Sequence, residues 1–474
     1  MTHRHGSTVS DSGTRGIGKI TARVVRLLVS GVLVIAAMAL TVPTTAWADP
    51  APPTYDGSVP LDVPKASEVF SGFTLGTIRD GRAATTEENF VGLLADDPFY
   101  AEPPIPAGAA PGTLLKAKRF DVLFTGYRPG NIAAWKIMYV TEDVRGRKVI
   151  STGVVMIPED GRPNSTRSVV AYQEANDSVG PKCHPSTQWS GGAYGDASAW
   201  SALGPLALMW NRGLAVVISD IGNDADPKPH GVFAGRYAGM ALLNGLRAAY
   251  HVGAAGLNPA KPVGIFGVAG GGVGGAFAAE YANHYAPEIN LKATMVEALA
   301  ADQKNFITFA DGALGSGFVM ATLLGLEAQY PEMRMNSHLN PAGRALADYY
   351  RASCQTYAYF MAPFLPMRLL FNGNRSPADI PAFQRVYAQN NLGYGDAPRG
   401  KMLVTSCASD DSFMVVTPAS DSKKLVSRYA AQGADAQYYG LQCGIDTFIT
   451  DMYKWGTELF GMHTVDWLAT ELNS

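Results

Sequence analysis

Val263-Gly264-Ile265-Phe266 runs without a polar side chain into Gly267-Val268-Ala269-Gly270-Gly271-Gly272-Val273-Gly274-Gly275, and an alanine-rich helical stretch continues to Tyr285. An apolar run of strand length that enters a glycine turn and leaves as a helix is half of a β-α crossover. Its strand carries no polar face, so it must be covered on both sides. Two ordinary uses of such a turn are close helix packing and phosphate binding. A phosphate loop needs Gly-Lys-Ser/Thr at its end, and that is absent here.

The rest of the chain repeats the pattern. Val169-Val170-Ala171-Tyr172 and Ala215-Val216-Val217-Ile218 are further short apolar strands, with helical stretches such as Ala238–His251 between them. Before them, Leu114 to Ile157 alternates strand-like runs, Phe120–Phe124 and Trp135–Val140, with turns; this reads as antiparallel edge strands. After Met295-Val296-Glu297-Ala298 the strand pattern stops until Met402-Leu403-Val404-Thr405. The gap, residues 303–398, is crowded with Phe306, Phe309, Phe318, Met320, Tyr349, Tyr350, Tyr357, Tyr359, Phe360, Met361, Phe364 and Met367. Helical spacing reads as a helical core, and as an insertion between sheet strands its adaptable apolar side chains also suit a lid over a lipid pocket. A last helix is expected over Tyr453–Leu472. The expected class is α/β with a mostly parallel sheet: core residues 49–302, a helical lid at 303–398, and core again at 399–474.

Arg23 and Arg26 precede the 14-residue apolar run Leu27–Leu40, and Ala46-Trp47-Ala48 follows. That is the layout of a secretory signal peptide over residues 1–48, with Asp49 as the mature N-terminus. The expected location is secreted or in the cell envelope. Removing residues 1–48 leaves 33 Lys/Arg against 40 Asp/Glu, a net charge of −7, and no basic block; nucleic acid is therefore not an expected partner. Cys183, Cys354, Cys407 and Cys443 in an exported chain read as two disulfides, with three pairings open. Their spacings do not make a metal site, and no metal or cofactor is expected.

In α/β-hydrolases a strand, a Gly-x-Ser-x-Gly turn and a helix form the nucleophile elbow, which lifts a serine Oγ above the sheet. Here the frame stands as Gly267-Val268-Ala269-Gly270-Gly271, with alanine at the serine position. Gly267–Leu291, ending Glu280-Tyr281-Ala282-Asn283-His284-Tyr285-Ala286-Pro287-Glu288-Ile289-Asn290-Leu291, resembles the secretory lipase family. Asp97-Pro98-Phe99-Tyr100 with Pro111-Gly112-Thr113-Leu114-Leu115 looks like its N-terminal signature. Ala171-Tyr172-Gln173-Glu174-Ala175-Asn176-Asp177-Ser178 is similar to its oxyanion strand-loop, followed by Cys183-His184-Pro185-Ser186; Gly245-Leu246-Arg247-Ala248-Ala249 looks like the helix before the elbow.

The resemblance implies an α/β-hydrolase fold, oxyanion donors at Asp177 and Gly270, and bridges Cys183–Cys354 and Cys407–Cys443. It implies a triad acid within Ser409-Asp410-Asp411-Ser412; Asp411 is favoured, with Asp410 as the alternative. Registering the C-terminal block on Phe460-Gly461-Met462 and Trp467-Leu468 puts Lys454 at the histidine position, while His463 reads as a surface or packed histidine. Lysine near its ordinary pKa of about 10.4 is protonated and accepts no proton at neutral pH. Its ammonium is expected to pair with Asp411 or Asp410. Three functions follow. The first is a non-catalytic protein binding lipid or ester molecules, with peripheral contact to lipid surfaces. The others are an active lipase or carboxylesterase using another group, with Ser406, Ser409 and Ser412 near the acid loop, and an envelope-associated scaffold for a protein partner.

Overall fold

The computed structural model describes residues 51–89, 97–192, 196–224, 229–355, 362–412 and 414–474. The expected signal peptide and Tyr357, Tyr359, Phe360 and Met361 lie outside the described residues.

A nine-stranded sheet organises the chain. Its strands are β1 (Leu114–Phe120), β2 (Ile132–Glu142), β3 (Lys148–Pro158), β4 (Val169–Gln173), β5 (Ala215–Ser219), β6 (Val263–Val268), β7 (Leu291–Glu297), β8 (Lys401–Cys407) and β9 (Asp435–Leu441). In space they run β9-β8-β7-β6-β4-β5-β3-β2-β1. The six from β4 to β9 pair in parallel, and β1 to β3 add an antiparallel edge. Side chains alternate between two apolar faces. Val263 and Ile265 of β6 join one cluster, while Phe266 and Val268 join another on the opposite side. This is why the parallel strands read as unbroken apolar runs rather than alternating ones.

Helices cover both faces: α1 (Ala197–Asn211), α2 (Gly235–Tyr250) and α3 (Gly270–Tyr281) before the insertion, and α4 (Gln303–Ala310), α5 (Ser316–Gln329), α6 (Pro341–Ala352) and α7 (Pro381–Gln389) within it. After β8 come α8 (Ala419–Ala431), α9 (Ile445–Thr450), α10 (Met452–Leu459) and α11 (Val465–Glu471). Helices α4 to α7 fall between β7 and β8, and Phe306, Met320, Tyr350 and Phe383 share one cluster with Val296 and Val404 of the sheet. No helix among the described residues is long and apolar enough to cross a membrane.

Two expected elements end early. The strand expected over Phe120–Phe124 is instead paired over Leu114–Phe120, and Thr125 and Gly126 take positive φ beyond it. Val122 and Leu123 then pack inward. The helix over Tyr453–Leu472 breaks at Gly461, which adopts φ 70° after Phe460 and separates α10 from α11. A Cβ there would lie 2.7 Å from Met295 Cε and 2.9 Å from Phe266 Cζ, so the position takes glycine on two counts.

The connection from β4 goes to β5 on one side, while the next strand, β6, lies on the other. Strand order reverses there, and in open parallel sheets the crevice at such a point is where ligands bind.

Candidate active site

The elbow stands at that reversal. Ala269 follows β6 and precedes α3 with φ 54° and ψ −123°, its N–H donating to Glu297 O at 2.9 Å. A residue with a Cβ held there carries about 1–3 kcal/mol of backbone strain. The neighbouring glycines make the turn possible by leaving space for backbone. A Cβ on Gly267 would sit 2.5 Å from Gly271 O, and one on Gly271 would sit 2.2 Å from Gln173 O and 2.3 Å from Glu174 O. The tight strand-to-helix turn expected from the sequence is therefore present, with the Ala269 methyl group at its apex.

The loop after β4 lies against this turn. A Cβ on Gly270 would fall 1.9 Å from Asp177 Oδ1, so the Asp177 carboxyl and the first residue of α3 are in direct contact. Asn176 holds the loop by donating Nδ2–H to Cys183 O (2.7 Å) and accepting from Ser178 N–H (3.0 Å); Asp177 N–H donates to Gln355 Oε1 at 3.0 Å. The bridge Cys183–Cys354, Cα atoms 5.3 Å apart, fastens the same loop to the insertion. It joins residues 171 apart, the kind of long closure that restricts an unfolded chain most.

The ends of β8 and β9 carry the other positions. Asp410 Oδ1 accepts the Ala419 N–H at 2.5 Å at the start of α8, which commits it to holding that helix. Asp411 lines a cavity of about 370 Å³ with Ser409, Ser412, Gln442, Cys443 and Gly444. The bridge Cys407–Cys443, Cα atoms 5.4 Å apart, joins the two loops, so both disulfides have the pairing the resemblance implied. None of the three serines nearby sits on an elbow. Ser406 is buried against Tyr438 Oη (3.1 Å), and Ser409 and Ser412 accept local backbone N–H groups.

The expected ion pair does not form. Lys454 lies on α10, and among the described residues it makes no ion pair within 4.0 Å with either Asp410 or Asp411; Glu458, one turn along the same helix, feels its charge. The segment facing Asp411 across the cavity is Gln442-Cys443-Gly444, directly after β9. It holds no histidine, and His463 is the one histidine that follows β8 in the sequence. His463 is buried after the Gly461 break beside Tyr439, its ring nitrogens make no hydrogen bond of good geometry among the described residues, and burial pushes its pKa down to about 3.

The secretory lipase family model matches residues 205–443, half of the chain. The chain belongs to the secretory lipase family. A protein described as a probable inactive lipase from Mycobacterium tuberculosis is 26% identical over 73% of this chain and 77% of its own length. A trichothecene C-3 esterase from Fusarium sporotrichioides is 27% identical over 77% of this chain and 81% of its own. A secreted triacylglycerol lipase from Malassezia furfur reaches 29% over 58% and 56%. Candida antarctica lipase A in its closed state superposes with a TM-score of 0.65, covering 80% of this chain and 94% of its own at 21% identity. The sheet and its helices are an α/β-hydrolase fold.

Within this family member, two buried acids border the elbow that the sequence reading passed over. Glu297, at the end of β7, gives its backbone oxygen to Ala269 and takes a hydrogen bond from Thr405 Oγ1 at 2.9 Å on Oε2. Burial, and then the nearby Glu458, holds its carboxyl well above the usual range. Glu174, whose backbone oxygen bounds Gly271, accepts from Trp189 Nε1–H at 2.7 Å; burial is the main cause of a pKa pushed up to about 8. The one cue in the sequence was an acid closing an apolar strand.

Glu174 makes stability depend on pH. The folded chain keeps a proton that the unfolded chain releases above its ordinary pKa, so this contribution is present at low pH and is lost as pH rises toward 8. Glu174→Gln keeps an acceptor for Trp189 and removes the titration. Denaturant unfolding is expected to show the loss between pH 7 and 8.5 reduced by about 1 kcal/mol in that variant. Equal slopes in variant and wild type would refute the assignment.

Proposed function

We propose that this chain is a secreted member of the family that has lost ester hydrolysis and binds lipid or ester molecules. The observation that carries the reading is Ala269 at the summit of a complete, strained elbow, with Asp177 beside it. A methyl group cannot attack a carbonyl, yet the turn still presents the first N–H groups of α3, which a helix cannot bond internally and which favour an anionic or carbonyl oxygen. Replacement of the histidine, at Lys454 or in the strand-end loop, removes the base as well. Export by a cleaved leader over residues 1–48 and a lid role for the insertion belong to the same reading. Peripheral contact with lipid surfaces is supported by exposed Ile449 and Met452 on α9 and α10 and Leu369 in the insertion.

Organic extraction of protein purified without detergent, followed by mass spectrometry, is expected to release fatty acid or ester lipid in near-stoichiometric amount. A fluorescent fatty acid should bind and be displaced by that lipid. Protein that carries no lipid and binds no fatty acid would overturn the reading and favour a scaffold for a protein partner.

A further inference from the structure

Behind the oxyanion loop, His184, Asp224 and His230 meet in the interior, each almost wholly buried. We propose that they form a binding site for one divalent transition-metal ion of the zinc type. One ligand atom from each residue lies within 4.8 Å of the other two.

The hydrogen bonding of His184 calls for a positive charge at one edge of its ring. Its Nε2 lies 2.9 Å from Ser178 O, which can only accept, so Nε2 carries the hydrogen. Its Nδ1 then presents a lone pair to Asp224 Oδ1 at 2.7 Å. Lone pair facing carboxylate is repulsive unless a cation joins them, either a proton or a metal ion. A ring that donates its far N–H to a backbone carbonyl is how metal-bound histidines are commonly oriented.

His230 decides between the two cations. It is 3% exposed, its ring stacks on His184 with centroids 3.6 Å apart, and among the described residues neither ring nitrogen has a hydrogen bond. A proton on His184 would leave both nitrogens unsatisfied, a costly state for a buried polar group. Its Nε2 lies 3.9 Å from Asp224 Oδ1, and no hydrogen bond resists the ring rotation that would bring the lone pair onto a shared ion. Tetrahedral zinc–ligand distances of about 2.0–2.2 Å would spread His184 Nδ1 and Asp224 Oδ1 from 2.7 Å by about 0.6 Å.

Charge and access agree. Asp220 stands beside the cluster as a second buried carboxylate, accepting hydrogen bonds from Ser186 and Thr152. His230 also lines a cavity of about 470 Å³ with Gly222 and Asp143, where solvent can complete the coordination of an ion that has three protein ligands. Such an ion would join the loop carrying Asp177 to the end of β5. The cysteine spacings gave no hint of it, because its ligands come from separate loops.

Metal-stripped protein titrated with Zn²⁺ is expected to take up about one ion per chain and to melt at a higher temperature than with Mg²⁺. The Co²⁺ form should show visible d–d absorption. His230→Phe keeps the stacked ring, removes the unsatisfied nitrogens and should fold; it is expected to weaken zinc binding by at least about 100-fold, the upper end of what losing an outer partner costs, and to lose the cobalt bands. Asp224→Asn, if it folds, should do the same. Binding well below one ion per chain, or stoichiometric binding and cobalt bands that persist in His230→Phe, would overturn the site.

Discussion

Ester hydrolysis by the purified chain is expected to be indistinguishable from buffer, and Ala269→Ser alone is expected to leave it so. The new hydroxyl would stand on a sound elbow, but nothing on the β9 loop could take its proton. Oxyanion donors without a working relay retain on the order of 10³–10⁴ over water in a serine protease, far below practical turnover. The structure separates two ways of rebuilding the relay. Ala269→Ser with Gln442→His puts an imidazole on the loop that shares a cavity with Asp411. Ala269→Ser with Lys454→His puts it on α10, which makes no ion pair with that acid. The first double variant should therefore hydrolyse a p-nitrophenyl ester faster than the second and faster than Ala269→Ser. Robust wild-type turnover that survives stringent purification, and that follows this chain through chromatography, would sink the loss-of-activity reading.

Gly271→Ala is expected to be among the most damaging single substitutions in the molecule. Its Cβ would press on the backbone oxygens of Gln173 and Glu174, which belong to the central strand and its exit and cannot swing aside. Relief requires α3 to move off the sheet or β4 to shift against β6, so a cost above about 4 kcal/mol, or failure to fold, is expected. Two companions make the result interpretable. Gly253→Ala, where a Cβ meets nothing within 4 Å, should change stability by no more than about 0.5 kcal/mol. Ala269→Gly should raise stability by about 1 kcal/mol, because relief of the positive-φ strain outweighs the entropy added to the unfolded chain. Denaturant midpoints order the three. A Gly271→Ala protein as stable as wild type would show that the turn is not packed as described.

The sequence was most legible where one residue type has one physical use. Glycines crowded behind an apolar strand mark a tight strand-to-helix turn, and Ala269 in their midst stands where the family resemblance leads one to expect a serine. Runs such as Ala215–Ile218 and Val263–Phe266 read as buried parallel strands because no alternation of polar residues competes with that reading. Gly461 was read through, since a lone glycine inside a helical pattern is tolerated and its positive φ leaves no mark on the spacing. That break moves His463 out of the helix, and an added short helix, α9, separates Lys454 from the end of β9; register counted along the chain could not foresee either. The neutral acids Glu174 and Glu297 were invisible for another reason. A carboxyl reads as surface until the fold buries it, and burial depends on residues far away in the chain.

The turn at Ala269 also sets the terms on which any guest is received. Its backbone was locked at folding, by carbonyl oxygens that leave no room for the glycines to move. On the proposed reading, a carbonyl or carboxylate arriving at the first amides of α3 meets donors that are already aimed, and little conformational freedom remains to be given up on docking. Occupancy should follow ligand concentration without reshaping the floor of the site. On the proposed reading, in which the helices between β7 and β8 serve as a lid, the rates of entry and exit are then a property of that lid rather than of the turn itself.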